Sequence, residues 1–341
     1  MTPAPSGGGS RRILSALLGI AISAGLLVWA LRGVDLAEVG TRLRAARPLP
    51  LVAAALLATL SFPLRVVRWR YLLRRDDGGT FPAMPLWHAV AMGFMANNLL
   101  PFRAGELVRV YTASRLTDAR FGAVLTSIAV ERIFDGLTVV GLLSVGLLVS
   151  DLPSDVALGG VSLAHAAQVS GALAACALVV AALTVTFPLA AERAIRQVLP
   201  AGRVTDRVVS AIEGIRQGLS ALRSPGRLAG VILWSLGLWT MNAASFWIAF
   251  AAFGIPVDYA GALVLQGVLV IGISVQFSPG YVGQFEAAIV AALALYGVGN
   301  EIASSYAIAY HAVTFLPIVL LGFWSLARSP VAIGDLRRTS A

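Results

Sequence analysis

The sequence predicts an all-α polytopic membrane protein of about six full crossings plus two Pro/Gly-broken segments, and three observations carry that prediction. Hydrophobic residues make up 58% of the 341 and charged residues only 13%, with a mean hydropathy of +0.82, far from soluble averages. Apolar runs cover most of the chain, the long ones reaching the roughly 20 residues that a bilayer core demands of a helix. An eight-residue pattern interrupts two apolar stretches, at Asn98–Gly105 (NLLPFRAG) and 178 positions later at Gln276–Gly283 (QFSPGYVG). Each copy has a side-chain amide, a proline three residues on and a glycine four beyond that, and an acid follows, Glu106 or Glu286. Breaking a helix in lipid frees backbone N–H and C=O groups, which survive only where protein or a wet cavity satisfies them. Two such breaks in corresponding halves of a membrane chain point to a substrate site between repeats. The bland alternative is that Pro and Gly merely kink two packed spans.

In chain order, residues 1–10 (MTPAPSGGGS) read as a disordered tail. Arg11 and Arg12 followed by an apolar run resemble a signal peptide, but the run is long and lacks a small-residue cleavage site, so a retained first helix is expected. The long apolar segments are 13–31, 49–64, 121–150, 163–187, 228–253 and 303–327, with the broken pattern in 86–101 and 260–297. A single transmembrane domain is expected over 11–330, with a tail at 331–341. Arginines and apolar residues mix at helical spacing in 188–227, which suggests amphipathic helices on the inner membrane surface or a solvated loop.

Charge sets the orientation. The formal net charge is +9, and the basic residues lie in loops beside spans, where anionic head groups rather than nucleic acid explain them. Arg65, Arg68, Arg70, Arg74 and Arg75 flank the second span, seven arginines lie from Arg193 to Arg227, and Arg328, Arg337 and Arg338 end the chain. Both termini, 65–85 and 188–227 are therefore expected in the cytoplasm of a plasma-membrane protein, with 151–162 and 254–259 outside. One loop resists: 32–48 falls outside yet holds four arginines against two acids. Parity then makes 86–101 and 260–297 re-entrant hairpins from opposite faces, an inverted repeat, unless each region crosses three times. The first is 16 residues, about 24 Å if helical, short of the roughly 30 Å hydrocarbon core.

Ionisable groups at membrane depth cost roughly 2.5–3.5 kcal/mol each on the lenient insertion scale and so mark function. Glu131 and Asp135 share a helix face by i, i+4 spacing, and Arg132 pairs with Asp135 at i, i+3. One acid is then free for Arg103, Arg109 or a substrate cation; the alternative is a structural salt bridge near the interface. Asn97, Asn98, Arg103, Glu106 and Arg109 cluster around Pro101. Arginine forks and a fresh helix start suit a lipid phosphate, with ordinary capping as the alternative. Around Pro279, residues Gln276, Ser278, Gly280, Tyr281, Gly283, Gln284 and Glu286 offer polar groups and no cation. Glu286 there is a candidate proton or cation carrier. Tyr306, Tyr310 and Thr314 form a stripe that reads as packing, and Trp239, Asn242 and Ser245 a weaker one. His88, His165 and His311 are too scattered for a metal, the lone Cys176 excludes an internal disulfide, and a lysine-free chain has no Walker motif.

Three stretches together resemble the flippase-like family that includes the transmembrane region of lysylphosphatidylglycerol synthase. They are NNLLPFRAGE at 97–106, SxxxERxxD at 127–135 and PGYVGQFE at 279–286, and with hydropathy the match covers roughly 13–327. The resemblance implies lipid translocation between leaflets, with Asn98, Pro101, Gly105, Glu106, Glu131, Arg132, Asp135, Pro279, Gly283 and Glu286 near the pathway. Full-length synthases carry a cytosolic aminoacyl-transfer domain after the membrane region. This sequence ends at Ala341, so it is not expected to make lysyl-phosphatidylglycerol itself. The leading expectation is a flippase or lipid-handling transporter, not an enzyme, whose partners are membrane lipids, with no cofactor. Arg103 and Arg109 would hold phosphate. The competing readings are an intramembrane lipid-modifying enzyme using carboxylates, and a non-transporting scaffold.

Overall fold

The computed structural model describes residues 34–100, 103–150 and 224–330, isolated positions within 25–31, and the dipeptides 157–158 and 161–162. The expected tails, the spans 13–31 and 163–187, and the amphipathic region up to residue 223 lie outside the described residues, as does Pro101. What is described is helical apart from a two-stranded antiparallel ribbon, Ala157–Leu158 with Val161–Ser162.

The first described helix, α1 (Leu36–Ala45), lies in the loop that resisted orientation. Asp35 caps it by accepting from Ala37 N (2.8 Å) and Glu38 N (3.3 Å), and Glu38 pairs with Arg42 one turn on. Pro48 opens α2 (Pro48–Leu72), its fixed φ suited to a helix start. This helix corrects the expected 49–64 span: it runs eight residues further, so Arg65, Arg68 and Arg70 are helical rather than in a cytoplasmic loop.

Two short helices follow, α3 (Ala83–Leu99) and α4 (Ala104–Thr117), then the long α5 (Phe121–Val149). The second half holds α6 (Pro225–Phe250), α7 (Tyr259–Gly272), α8 (Gln284–Ala294) and α9 (Asn300–Arg328). Among the described residues four helices, α2, α5, α6 and α9, are long and apolar enough to cross a membrane. The expected six crossings are thus represented here by four candidates.

Each broken segment turns back on itself. Gly93 of α3 faces both Gly105 and Arg109 of α4, while Asn97 of α3 bonds to Gly105, so the contacts run antiparallel. In the second segment Gly261 of α7 faces Tyr296 just beyond α8, and Gly272 faces Ala288. Two cores follow this division. One gathers Phe62, Trp69, Leu86, Val90, Val110, Ile128 and Phe134 from α2 to α5; the other gathers Phe250, Leu265, Ile289, Tyr306 and Tyr310 from α6 to α9. On α2 the residues Leu49, Val52, Leu56 and Leu60 form an exposed stripe at helical spacing, as expected where the surrounding solvent is lipid.

Candidate functional site

The two breaks meet. The first connection, after Leu99, and the second, 273–283, are joined by the side chain of Gln276. Its amide nitrogen donates to the carbonyls of Asn97 (2.7 Å), Leu100 (3.0 Å) and Ser278 (3.1 Å), and its amide oxygen accepts from Arg103 N (2.9 Å). Arg103 in turn donates from its guanidinium to the Ser274 carbonyl (3.1 Å). Gln284 does the same service within the second break, accepting from Phe277 N (3.0 Å) and donating to the Val275 carbonyl (2.7 Å). Backbone groups released by interrupting two helices are thus satisfied by amides aimed from the other break or across the same one. That satisfaction is the condition for irregular backbone at membrane depth. Gly283 ends the second break with φ 83°, a conformation that a β-carbon disfavours, and its N–H is held by Glu286 Oε2 at 2.7 Å. Pro279 begins the short 3-10 turn Pro279–Tyr281 between them. The Asn98 side chain is half-buried and makes no hydrogen bond among the described residues, while its carbonyl faces Gly280.

Beside the first break lies a charge cluster that draws on α2, α4, α5 and α6. Glu131 is fully buried and accepts a two-pronged fork from Arg109, at 2.9 Å and 2.7 Å. The same carboxylate lies 3.1 Å from Arg68 Nη2 and 3.4 Å from Arg132 Nη2. Asp135 Oδ1 accepts from Arg68 Nη1 at 2.5 Å and from Trp239 Nε1 at 2.8 Å, and its other oxygen faces Arg132 at 3.3 Å. Arg68 also donates to Ser235 (3.0 Å), and the Arg109 guanidinium lies 3.8 Å over the ring of Trp69. Trp69 is itself fixed by a bond to Ser127 (2.9 Å). Charge-assisted forks of this kind are the strong hydrogen bonds, and only such pairing makes buried charge tolerable.

Above this dry layer is a wetter one. Glu106 lies 3.7 Å from Arg132 and 4.0 Å from Arg103, and the three side chains are about one-third exposed (33%, 31% and 39%). The charges of the same three residues act on the Tyr281 phenol of the second break. Arg103 of the first break thus brings a cation to a second break that has none of its own. Five guanidiniums (Arg65, Arg68, Arg103, Arg109 and Arg132) meet three carboxylates (Glu106, Glu131 and Asp135), a surplus of two positive charges among the described residues.

The structure thus gathers Asn97, Arg103, Gly105, Glu106, Arg109, Glu131, Arg132, Asp135 and Gln276 around one locus, with Pro279 and Gly283 in the adjoining break. Arg109 needs a correction: expected to hold a lipid phosphate, it is buried and committed to Glu131 and Trp69, so its fork is already filled. Glu286 stands apart, on α8, where its Oε1 pairs with His311 Nδ1 at 2.6 Å and His311 stacks on Phe285 at 4.2 Å. The tyrosine stripe is packing, as read: Tyr306 donates to the Phe246 carbonyl (3.1 Å) and Tyr310 pairs with Ser245 (2.8 Å). Sequence reasoning missed Arg65, Arg68, Trp69, Ser235 and His311. A helical reading of 61–72 would have found Arg65 and Arg68, three residues apart and hence on one face with Trp69.

One curated relative, the protein named glycosyltransferase AglD from Haloferax volcanii, is 31% identical over 338 residues, covering 90% of this chain and 53% of the relative. The chain spans about half the length of that relative. That name corrects one expectation: a chain this similar to a protein named a glycosyltransferase is not to be read as a non-enzyme. The described helices make the chain a multi-pass membrane protein. The family model described as the lysylphosphatidylglycerol synthase TM region matches residues 16–322, and the chain belongs to that lipid-related family.

Proposed function

We propose that this chain takes a membrane lipid by its polar head group at the half-exposed layer of Arg103, Glu106, Arg132 and Tyr281, and moves it between leaflets. The acyl chains stay in the bilayer. We place the two broken segments as re-entrant hairpins from opposite faces, an inverted repeat within one domain over 11–330, with both termini cytoplasmic. The observation that carries this reading is the Gln276 bridge. It ties the two breaks together beside a positively charged layer, where a transporter built from repeats is expected to keep its site.

Lipid scrambling in proteoliposomes, read with fluorescent lipids and an impermeant quencher, tests it. Wild type is expected to expose inner-leaflet lipid. Gln276→Leu leaves the Asn97 and Leu100 carbonyls and the Arg103 N–H without their partner, so it is expected to slow that movement about tenfold or more, since each 1.4 kcal/mol is a factor of ten. Movement of no lipid class by folded wild type would overturn the reading.

A second reading is favoured by the name of the relative: the chain takes part in glycosyl transfer involving the lipid it holds. Cells making wild type would then carry sugar on extracted lipid that cells making Glu106→Gln lack. Persistence of scrambling by the same variant would separate chemistry from movement.

A further inference from the structure

We propose that Arg65 receives the anionic end of the transported lipid, and that the favoured head group is a phosphomonoester carrying about two negative charges. This rests on the lipid-handling reading above and adds to it a seat and a substrate class. Four of the five arginines in the cluster have a carboxylate within 4.0 Å: Arg68, Arg103, Arg109 and Arg132. Arg65 has none among the described residues, although it is 6% exposed and faces into the bundle from α2. Its Nε and Nη1 find no hydrogen-bond acceptor. The guanidinium is instead held between aromatic faces, 4.7 Å from Phe94 and 5.8 Å from Trp239. Aromatic faces return less than a lone cation at membrane depth costs, so the site is left wanting an anion. The acid whose charge acts most on it, Asp135, already has Arg68, Trp239 and Arg132 on its oxygens.

Position suits the role. Arg132 belongs both to the half-exposed layer and to the surroundings of Arg65, so an anion passing inward stays beside a cation. Phe94, on α3, lies against one face of the Arg65 guanidinium, at 4.7 Å. The charge surplus of two matches a phosphomonoester, at about −1.5 to −2 near pH 7, better than a phosphodiester at −1 or a zwitterion.

Thermal unfolding of the full chain in detergent, titrated with short-chain phosphatidic acid, phosphatidylglycerol or phosphatidylcholine, tests the proposal. Wild type is expected to be stabilised by phosphatidic acid at concentrations about tenfold or more below those needed for phosphatidylglycerol, with no effect of phosphatidylcholine. Arg65→Leu is expected to raise the lipid-free midpoint and to abolish that preference. Arg65→Lys keeps the charge but not the fork and is expected to retain part of it. A preference intact in Arg65→Leu, or a lower lipid-free midpoint with the same lipid response, would show Arg65 to be a structural cation and overturn the seat. Equal response of wild type to all three lipids would overturn the charge assignment and leave lipid handling standing. Response to none, together with no scrambling, would remove the lipid reading itself.

Discussion

Glu131→Ala is expected to cost about 3–5 kcal/mol of stability, the range measured when one partner of a buried ion pair is removed. Three guanidiniums depend on this carboxylate. Arg109 would lose both prongs of its fork, Arg68 one of its two acids, and Arg132 one of three. Asp135 would then be the one acid left to Arg68, while Arg132 keeps Asp135 and Glu106. Glu131→Gln keeps shape and one acceptor but no charge, and is expected to fall between wild type and alanine. The measurement is thermal unfolding in detergent with a double-mutant cycle against Arg109→Leu. Removing both partners is expected to recover part of the loss, with an interaction energy of about 0.5–3 kcal/mol. A loss under about 1 kcal/mol for Glu131→Ala, in the range of exposed pairs, would mean that water reaches the layer.

The size of that effect explains where the sequence was readable. Long apolar stretches need no partner to announce themselves, and 121–150, 228–253 and 303–327 differ from α5, α6 and α9 by a few residues at each end. The breaks were visible because Pro and Gly act through their own backbone. The trio Glu131, Arg132 and Asp135 stood out as charge inside an apolar run. Arg109 could be named from the sequence as a partner for one of its acids, and it is one; Arg68 could not. Arg68 lies 67 positions from Asp135, and a window of hydropathy ends where arginines begin. The helix itself continues to Leu72, and within that extension carboxylates on α5 receive Arg68.

The same blindness to distant partners accounts for the other differences. Arg109 was read both as a phosphate ligand and as a partner for an acid of the trio, and Glu131 on the next helix holds it in the second role. His311 looked isolated because its partner Glu286 is on another helix. In the loop 32–48, whose arginines resisted the charge rule, Glu38 and Arg42 pair within a capped helix. In each case the residue type was legible and its electrostatic environment was not.

Gly105→Ala is the second large effect expected, about 3 kcal/mol, the upper end for overpacking. A β-carbon at Gly105 would lie inside contact distance of the Gly93 carbonyl, 2.5 Å from Asn97 Oδ1 and 2.6 Å from Asn97 N. Two of these are backbone atoms of a packed helix, and the third holds the Gly105 N–H at 2.9 Å, so none can yield as a flexible side chain would. Relief requires α3 and α4 to separate. That moves Arg103 N and the Leu100 carbonyl away from Gln276, so lipid movement is expected to fail along with stability. Gly136→Ala, on α5 with no described atom within 4 Å of the new methyl, is the control and is expected to be neutral in both assays. Unfolding midpoints and scrambling rates of the pair decide the matter. If Gly105→Ala behaves like Gly136→Ala, the hairpin is loosely packed and the junction of the two breaks is not held by close approach of α3 and α4. If it fails in both assays while Gly136→Ala does not, small residues at this crossing set the distance at which the two breaks can meet.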